Sequence, residues 1–294
     1  MNGVLIIDKP RGWTSHDVVN KARHVLREKR IGHTGTLDPL ATGVLVLCVG
    51  KATRIARYLE SDDKVYRAEM RLGVSTDTQD ADGQVLETRQ YDPPARDAIM
   101  QVLGQFTGSL LQRPPAYSAL KVGGVPSYRL ARKGQAQEHA ARPVTVHSLD
   151  LLQYADPLIG FRVHCSKGTY VRTLCADIGD RLGCGAHLTA LTRERAGRFT
   201  LADALSPGRL AELVTEGTAD GAFVSMNEAL AGMPSKDLTS QEITRISHGN
   251  PVPPSPADVR SADGSPVRLV SERGELIAVG VLRNGLLWPE TVLA

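Results

Sequence analysis

Fourteen consecutive residues constrain this chain more than any other stretch: Arg30-Ile31-Gly32-His33-Thr34-Gly35-Thr36-Leu37-Asp38-Pro39-Leu40-Ala41-Thr42-Gly43. They hold three glycines, one proline and a single carboxylate, Asp38, directly before the apolar run Val44-Leu45-Val46-Leu47-Cys48-Val49. Glycine permits tight turns and close backbone approach, and proline fixes one backbone angle. A segment written this way turns sharply and then enters a buried strand, presenting its few polar side chains at defined places. Taken alone, Asp38-Pro39 is equally compatible with a plain turn or an N-cap followed by proline.

The flanking sequence predicts mixed elements. Residues 1–8 read as a first strand. Thr14-Ser15 supplies an N-cap, and Val18, Val19, Ala22, Val25 and Leu26 then recur at helical spacing to about Lys29. A strand over 44–49 precedes a helix over 52–59. Over 65–72 the residues alternate, with Tyr66, Ala68, Met70 and Leu72 on one face and Arg67, Glu69 and Arg71 on the other. Tyr66 therefore points inward, where core packing is the ordinary role of an aromatic. Further readings are a helix over 95–104, a Gly/Pro-rich loop over 107–124, and a short basic helix over 127–133. Strands over 144–153 and 159–165 precede a helix capped by Thr169 that runs to about Leu182. Helices mixed with alternating, mostly antiparallel strands give an α+β class. A Pro-rich change between 232 and 256 divides the chain into residues 1–232 and 236–294, the second part a small β domain.

Composition narrows the setting. A chain of 294 residues with 41% hydrophobic and 23% charged residues suits a globular protein with one large and one small domain. No run approaches the roughly 18 apolar residues of a membrane span, and the start lacks the basic region of a signal peptide. The four cysteines show no C-x-x-C pair, so we expect reduced thiols, a cytoplasmic setting and no metal. The run Asp77, Asp80, Asp82, Gly83 fails the EF-hand pattern, because Thr78 and Arg89 occupy ligand positions. Net charge is +3, unevenly spread: residues 1–60 carry +5, 61–110 carry −4, 111–200 carry +7 and 201–294 carry −5. The two basic segments contain Asp38 and Arg172, and a basic surface around a site favours a polyanionic partner. Solvated faces without a partner explain charge alone equally well.

The Gly32-to-Gly43 string resembles the TruB family of pseudouridine synthases, which modify the T loop of tRNA. The resemblance continues through Asp8-Lys9-Pro10-Arg11-Gly12, Lys64-Val65-Tyr66 with Leu72-Gly73, and Arg113-Pro114-Pro115-Ala116-Tyr117-Ser118-Ala119-Leu120-Lys121. It ends with Cys165-Ser166-Lys167-Gly168-Thr169-Tyr170-Val171-Arg172-Thr173 and Leu182-Gly183-Cys184-Gly185-Ala186-His187-Leu188. It implies a pseudouridine-synthase fold followed by a PUA-like domain, although the negative charge of the last segment departs from a strong RNA binder. It implies Asp38 as catalytic nucleophile, paired with Arg172, and Tyr66 stacking on the target base and serving as a candidate for the C5 proton transfer. Tyr170 and Leu191 correspond to residues of the uracil pocket, His33 to one that packs against displaced nucleotides, and Lys9 to a lysine close to the site.

Pseudouridine formation breaks the N1–C1′ bond of uridine, rotates the base and rejoins it through C5. No redox step or external group enters, so no cofactor is expected. An aspartate serves as covalent nucleophile or as electrostatic partner of a cationic sugar. A neighbouring guanidinium would lower its pKa below about 3.9. The target base must be flipped out of folded RNA, at a cost that stacking and phosphate contacts offset. Arg113, Lys121, Arg129, Arg132 and Lys133 are the expected backbone contacts. The implied partner is the T stem-loop of tRNA, with no membrane and no obligate protein partner, and the implied state is a monomer. Three rivals remain: a non-catalytic RNA-binding protein or folding chaperone, a hydrolase with paired carboxylates, and an RNA-guided synthase of ribosomal RNA. The loop offers no second carboxylate for the hydrolase, and the long charged extensions usual in the guided enzymes are missing.

Overall fold

A computed structural model describes residues 1–135, 137–254 and 264–293. In chain order its strands begin with β1 (Gly3–Lys9), β2 (Ile31–His33), β3 (Thr42–Val49), β4 (Lys64–Leu72), β5 (Val74–Thr76) and β6 (Val85–Thr88). They continue with β7 (Gly108–Gln112), β8 (Lys121–Val122), β9 (Val125–Pro126), β10 (Arg142–Ala155), β11 (Leu158–Cys165), β12 (Ala186–Ala196) and β13 (Phe199–Thr200). The helices of this part are α1 (Ser15–Leu26), α2 (Ala56–Glu60), α3 (Arg96–Gln105), α4 (Ser127–Ala131), α5 (Val171–Arg181), α6 (Pro207–Thr215) and α7 (Met226–Ala229). One mixed sheet organises them, in the order β1-β3-β12-β4-β11-β10-β7, with β2 on β3 and β13 on β12. Every pairing in it is antiparallel except β3 with β12.

Alternation sorts the strands onto two faces. On one, Leu5, Ile7, Leu45, Leu47, Tyr66, Ala68, Met70 and Phe161 pack with helix residues such as Val18, Leu103, Leu174 and Ile178. On the other, Val4, Ile6, Val44 and Val46 meet Ile55, Leu59, Ala229 and Leu230. Helix α1 follows the sequence closely. Thr14 closes a capping box with Asp17, and Arg27 ends the helix in a left-handed conformation, φ 53°.

Three local expectations are corrected. Residues 52–59 form a 3-10 stretch, Gly50–Ile55, before the short α2, because no side chain caps a full α-helix there. The loop expected over 107–124 opens with β7, which pairs with β10; five residues with little alternation gain strand character only from that partner. Thr169 does not cap α5: its hydroxyl donates to the Ser166 carbonyl, and Tyr170 takes the cap position. The C-terminal part is the small β domain expected, built from β14 (Ser235–Leu238), β15 (Pro266–Ser271), β16 (Leu276–Arg283) and β17 (Leu286–Val292), with α8 (Ser240–Ser247) beside the strands. A capping box between Thr239 and Glu242 starts α8, within the segment whose prolines mask it in sequence.

The second sheet, β14-β15-β16-β17, folds over its own apolar cluster, which includes Leu238, Ile246, Val267 and Leu269. Its Val270, Leu276 and Val279 also join the cluster that holds Val4 and Val44, behind the main sheet. Lys51 Nζ donates to the Leu293 carbonyl at 2.9 Å, and Arg57 pairs with Glu290 at 3.0 Å across the same junction.

At the parallel contact, Thr42 faces Thr192 and Gly43 faces Arg193. Gly43 has φ +102°, and a Cβ there would stand 2.3 Å from the Arg193 carbonyl oxygen. Gly43→Ala should therefore destabilise the protein by about 2 kcal/mol or more in denaturant titrations, through strain and overlap together. Gly32→Ala is the control: a Cβ there meets nothing within 4 Å, and the loss should stay within about 0.5 kcal/mol.

Candidate active site

The loop between β2 and β3 carries Asp38 and is pinned from three sides. From α1, the Ser15 hydroxyl accepts from Leu37 N at 2.8 Å and donates to the Leu37 carbonyl at 3.1 Å. From β12, Arg193 donates to the carbonyls of Val44 (2.6 Å), Gly35 (3.1 Å) and Thr36 (3.5 Å). From β1, the fully buried Lys9 donates to Trp13 (2.6 Å), Pro10 (2.9 Å) and Pro39 (3.5 Å) carbonyls. Burial pulls its ammonium down to about 8, while Asp38 nearby pulls the other way.

Arg172, in the first turn of α5, reaches this loop. Its Nε lies 2.9 Å from Asp38 Oδ2, and its Nη2 donates to Asp38 Oδ1 at 3.3 Å. The remaining donors meet the Thr78 carbonyl (2.9 Å), the Tyr117 carbonyl (2.8 Å) and Asp80 Oδ2 (3.4 Å). Asp80 is itself buried and accepts from Thr78 Oγ1 at 2.5 Å and Asp82 N at 3.1 Å. A guanidinium only 5% exposed thus has every side occupied, as a buried charge requires.

Asp38 keeps a third of its side-chain surface, and that surface opens into a cavity of about 660 Å³. Tyr66, Leu191 and Tyr170 share its wall with Arg172 and Arg193. Arg57, Arg142 and Lys167 add exposed cations to its lining, with the buried Lys64. The volume suits one planar heterocycle with part of its sugar, and the cations suit the flanking phosphates.

The carboxyl of Asp38 is pushed above the usual aspartate value, chiefly by burial; Arg172 opposes that shift and the Asp80 carboxylate reinforces it. This reverses the expectation of a lowered pKa. The loss of water outweighs the guanidinium, whose charge Asp80 shares. Burial also raises the Tyr66 phenol, with Arg193 pulling down, so Tyr66 is protonated at neutral pH.

The remaining residues singled out by sequence lie at varied distances from the cavity. His33 stands beside it, its Nδ1 accepting from Gly35 N at 3.3 Å and its imidazole depressed by burial. Lys9, expected close to the site, is sealed beneath the loop as an anchor of its backbone and does not line the cavity. Arg113, Lys121, Arg129, Arg132 and Lys133 are all exposed and lie outside the cavity lining. Arg113 pairs with Glu138, while Arg129 and Arg132 lie over the Tyr128 ring. Sequence reasoning missed Asp80, Arg193 and Gln112. Asp80 was visible only as part of a failed calcium loop. Gln112 is buried and clamps the Tyr170 backbone through two bonds, of 2.7 and 3.1 Å. All three act across long sequence separations that no local pattern reveals.

Asp80 also supplies the second carboxylate that a hydrolase would need. Glycosidase carboxyls flank the scissile bond from two sides, whereas Asp38 and Asp80 share one guanidinium, and Asp80 is spent on it.

Known proteins share this arrangement of the chain. Residues 23–171 match the family described as TruB family pseudouridylate synthase (N terminal domain). Residues 172–231 match the tRNA pseudouridylate synthase B C-terminal domain, and 234–293 match pseudouridine synthase II TruB, C-terminal. The tRNA pseudouridine synthase B of Geobacter sulfurreducens is 47% identical over 90% of this chain and 86% of its own length. That of Syntrophotalea carbinolica is 46% identical over 94% of this chain and 90% of its own. A chain in the crystal structure of the archaeal box H/ACA sRNP Nop10-Cbf5 complex superposes with a TM-score of 0.77 at 25% identity, covering 99% of this chain and 86% of that one. A chain of a Cbf5-Nop10-Gar1 complex gives 0.77 at 28% identity, covering 99% and 85%.

The raised carboxyl can be tested directly. A ¹³C-carboxyl titration should find the Asp38 midpoint above about 3.9. Asp80→Asn removes the like charge and should move that midpoint down; an upward move would contradict the electrostatics described.

Proposed function

Since the chain belongs to the TruB family of pseudouridylate synthases, we propose that it converts uridine 55 in the T loop of tRNA to pseudouridine. The observation that carries this is the Asp38–Arg172 pair at the base of a cavity sized for one flipped nucleotide. In this reading Arg172 orients Asp38 through two N–H groups, so that one carboxylate oxygen faces the incoming ring or sugar. Asp38 then stabilises or captures the fragment released when N1–C1′ breaks. The base turns, C5 bonds to C1′, and the C5 proton leaves while N1 regains one, so atoms and charge balance without a cofactor.

Tyr66 and Tyr170 stack on the extruded base, and Leu191 fills the apolar side of the pocket. Because its phenol stays protonated, Tyr66 takes the C5 proton only as it hands its own proton on to solvent water, a relay through the hydroxyl rather than capture by a phenolate. His33 packs against displaced nucleotides, and Lys9 holds the Asp38 loop in place. Base flipping costs a few kcal/mol, which stacking and the cations Arg57, Arg142 and Lys167 offset. Arg113, Lys121, Arg129, Arg132 and Lys133 extend the phosphate track outward.

The proposal includes a catalytic part, residues 1–232, and a C-terminal part, residues 236–294. It also includes a monomer acting in the cytoplasm without an obligate protein partner. Among the described residues no helix is long and apolar enough to cross a membrane. The intact Asp38, Tyr66 and Arg172 set disfavours a purely non-catalytic RNA chaperone.

Asp38→Asn keeps size and capping capacity but removes the anion. Tritium release from C5-labelled T-loop uridine should fall at least about a thousandfold, with tRNA binding retained. Asparagine can accept from only one of the two Arg172 donors that Asp38 meets, so the variant should also melt below the wild-type temperature. Were Asp38 only a turn or cap residue, turnover would survive.

Affinity for tRNA should fall at least about tenfold between low and moderate salt, as Lys and Arg contacts release counterions. Reversing Arg132 and Lys133 together should weaken binding further while single-turnover chemistry at saturation stays near wild type. Filter binding across a salt series measures the first effect, and salt-independent binding would exclude the phosphate track.

A further inference from the structure

Away from the cavity, two histidines and a carboxylate converge. His147 Nε2 lies 3.0 Å from Asp63 Oδ2, and His164 Nε2 lies 3.7 Å from the same oxygen. One ligand atom from each of the three residues falls within 4.8 Å of the other two. The His147 and His164 rings stand 4.6 Å apart and tilted by 44°, so they converge rather than stack face to face.

The fold builds this cluster through a β-bulge. Val146 pairs with Cys165 and Ser148 with His164, leaving His147 as the extra residue, so that two residues of β10 oppose one of β11. His164 and Arg195 are both partners of Val65, whereas Val163 and Arg193 are partners of Tyr66. Neighbouring strand residues point to opposite faces, so the cluster lies on the sheet face away from Tyr66. None of its three members lines the cavity. Their side chains are 44%, 38% and 31% exposed for Asp63, His147 and His164, so an ion reaches them from solvent.

We infer that Asp63, His147 and His164 form a site for a divalent transition-metal ion of the class that takes imidazole and carboxylate ligands, with Zn²⁺ as its representative. Bonds of 2.0–2.1 Å in tetrahedral geometry set ligand atoms about 3.3 Å apart, and the two carboxylate–imidazole distances bracket that value. Three protein ligands leave a fourth position for water. Arg195 Nη2 lies 3.1 Å from His164 Nε2 and can only donate, so that nitrogen offers a lone pair, as a metal ligand must. The Nε of Arg195 is buried without a hydrogen-bond partner, and the guanidinium would swing aside as the ion enters. Its positive charge opposes the ion, which makes it a built-in control on affinity.

The test is calorimetric titration of the tag-free, metal-stripped full chain with Zn²⁺, with Co²⁺ absorption as the spectroscopic counterpart. One saturable site per chain is expected, together with Co²⁺ d–d bands. His147→Ala and His164→Ala should each weaken Zn²⁺ at least about tenfold and abolish the bands. Arg195→Gln should tighten Zn²⁺ severalfold by removing the opposing charge. Absence of a saturable site in the wild-type chain overturns the inference, and so does an affinity unchanged in the histidine variants. If a histidine variant fails to fold, the wild-type titration and Arg195→Gln decide, and unchanged affinity in Arg195→Gln overturns the inference.

Discussion

A guanidinium held almost entirely away from water needs a partner on every side, and the site depends on how Arg172 meets that need. Its partners come from three separate segments: Asp38 in the loop between β2 and β3, Asp80 and Thr78 before β6, and Tyr117 after β7. Removing any one leaves a buried donor unmatched, which costs more than the bond itself contributes. The pair therefore does two things at once. It fixes the direction of the one partly exposed carboxylate, and it locks α5 against the loop that carries it.

Two further buried cations extend the same logic. Among the described residues Lys9 and Arg193 meet no carboxylate directly; each satisfies its charge on backbone carbonyls around the Asp38 loop. A loop that holds Gly35 and is flanked by Gly32 and Gly43 has a large conformational freedom to lose, and carbonyl anchors from β1 and β12 restrict it without filling the cavity. Lys9 also places positive charge near Asp38, partly countering the burial that raises its pKa. The loop can thus be rigid while its carboxylate stays reachable.

The main sheet is used unequally. Beneath β1 and β3 both faces are covered, and the second sheet completes the rear core through Val270, Leu276 and Val279. Beneath β4 and β11 one face carries the core and Tyr66, while the other keeps Arg67, Arg71 and Arg162 in solvent. That asymmetry leaves room for chemistry at the cavity and, separately, for the polar cluster around His147.

The sequence by itself determined much of this. The turn-then-strand character of residues 30–49, the α1 boundary at Thr14 and the inward face of Tyr66 are local properties of glycine, capping and period-2 alternation. The resemblance identified the family and named Asp38 and Arg172, which the fold brings to 2.9 Å. Tertiary structure alone decided the rest. Strand β7 exists through its pairing with β10, and Gln112 reaches Tyr170 across 58 positions. Asp80 looked like a fragment of a calcium loop until Arg172, 92 positions away, became its neighbour. Lys9, expected only as a lysine near the site, is a buried anchor of the loop, and Asp38 went from a lowered to a raised pKa. The physical reason is common to both. Burial is set by the sum of everything packed around a group, and no short window of sequence contains that sum.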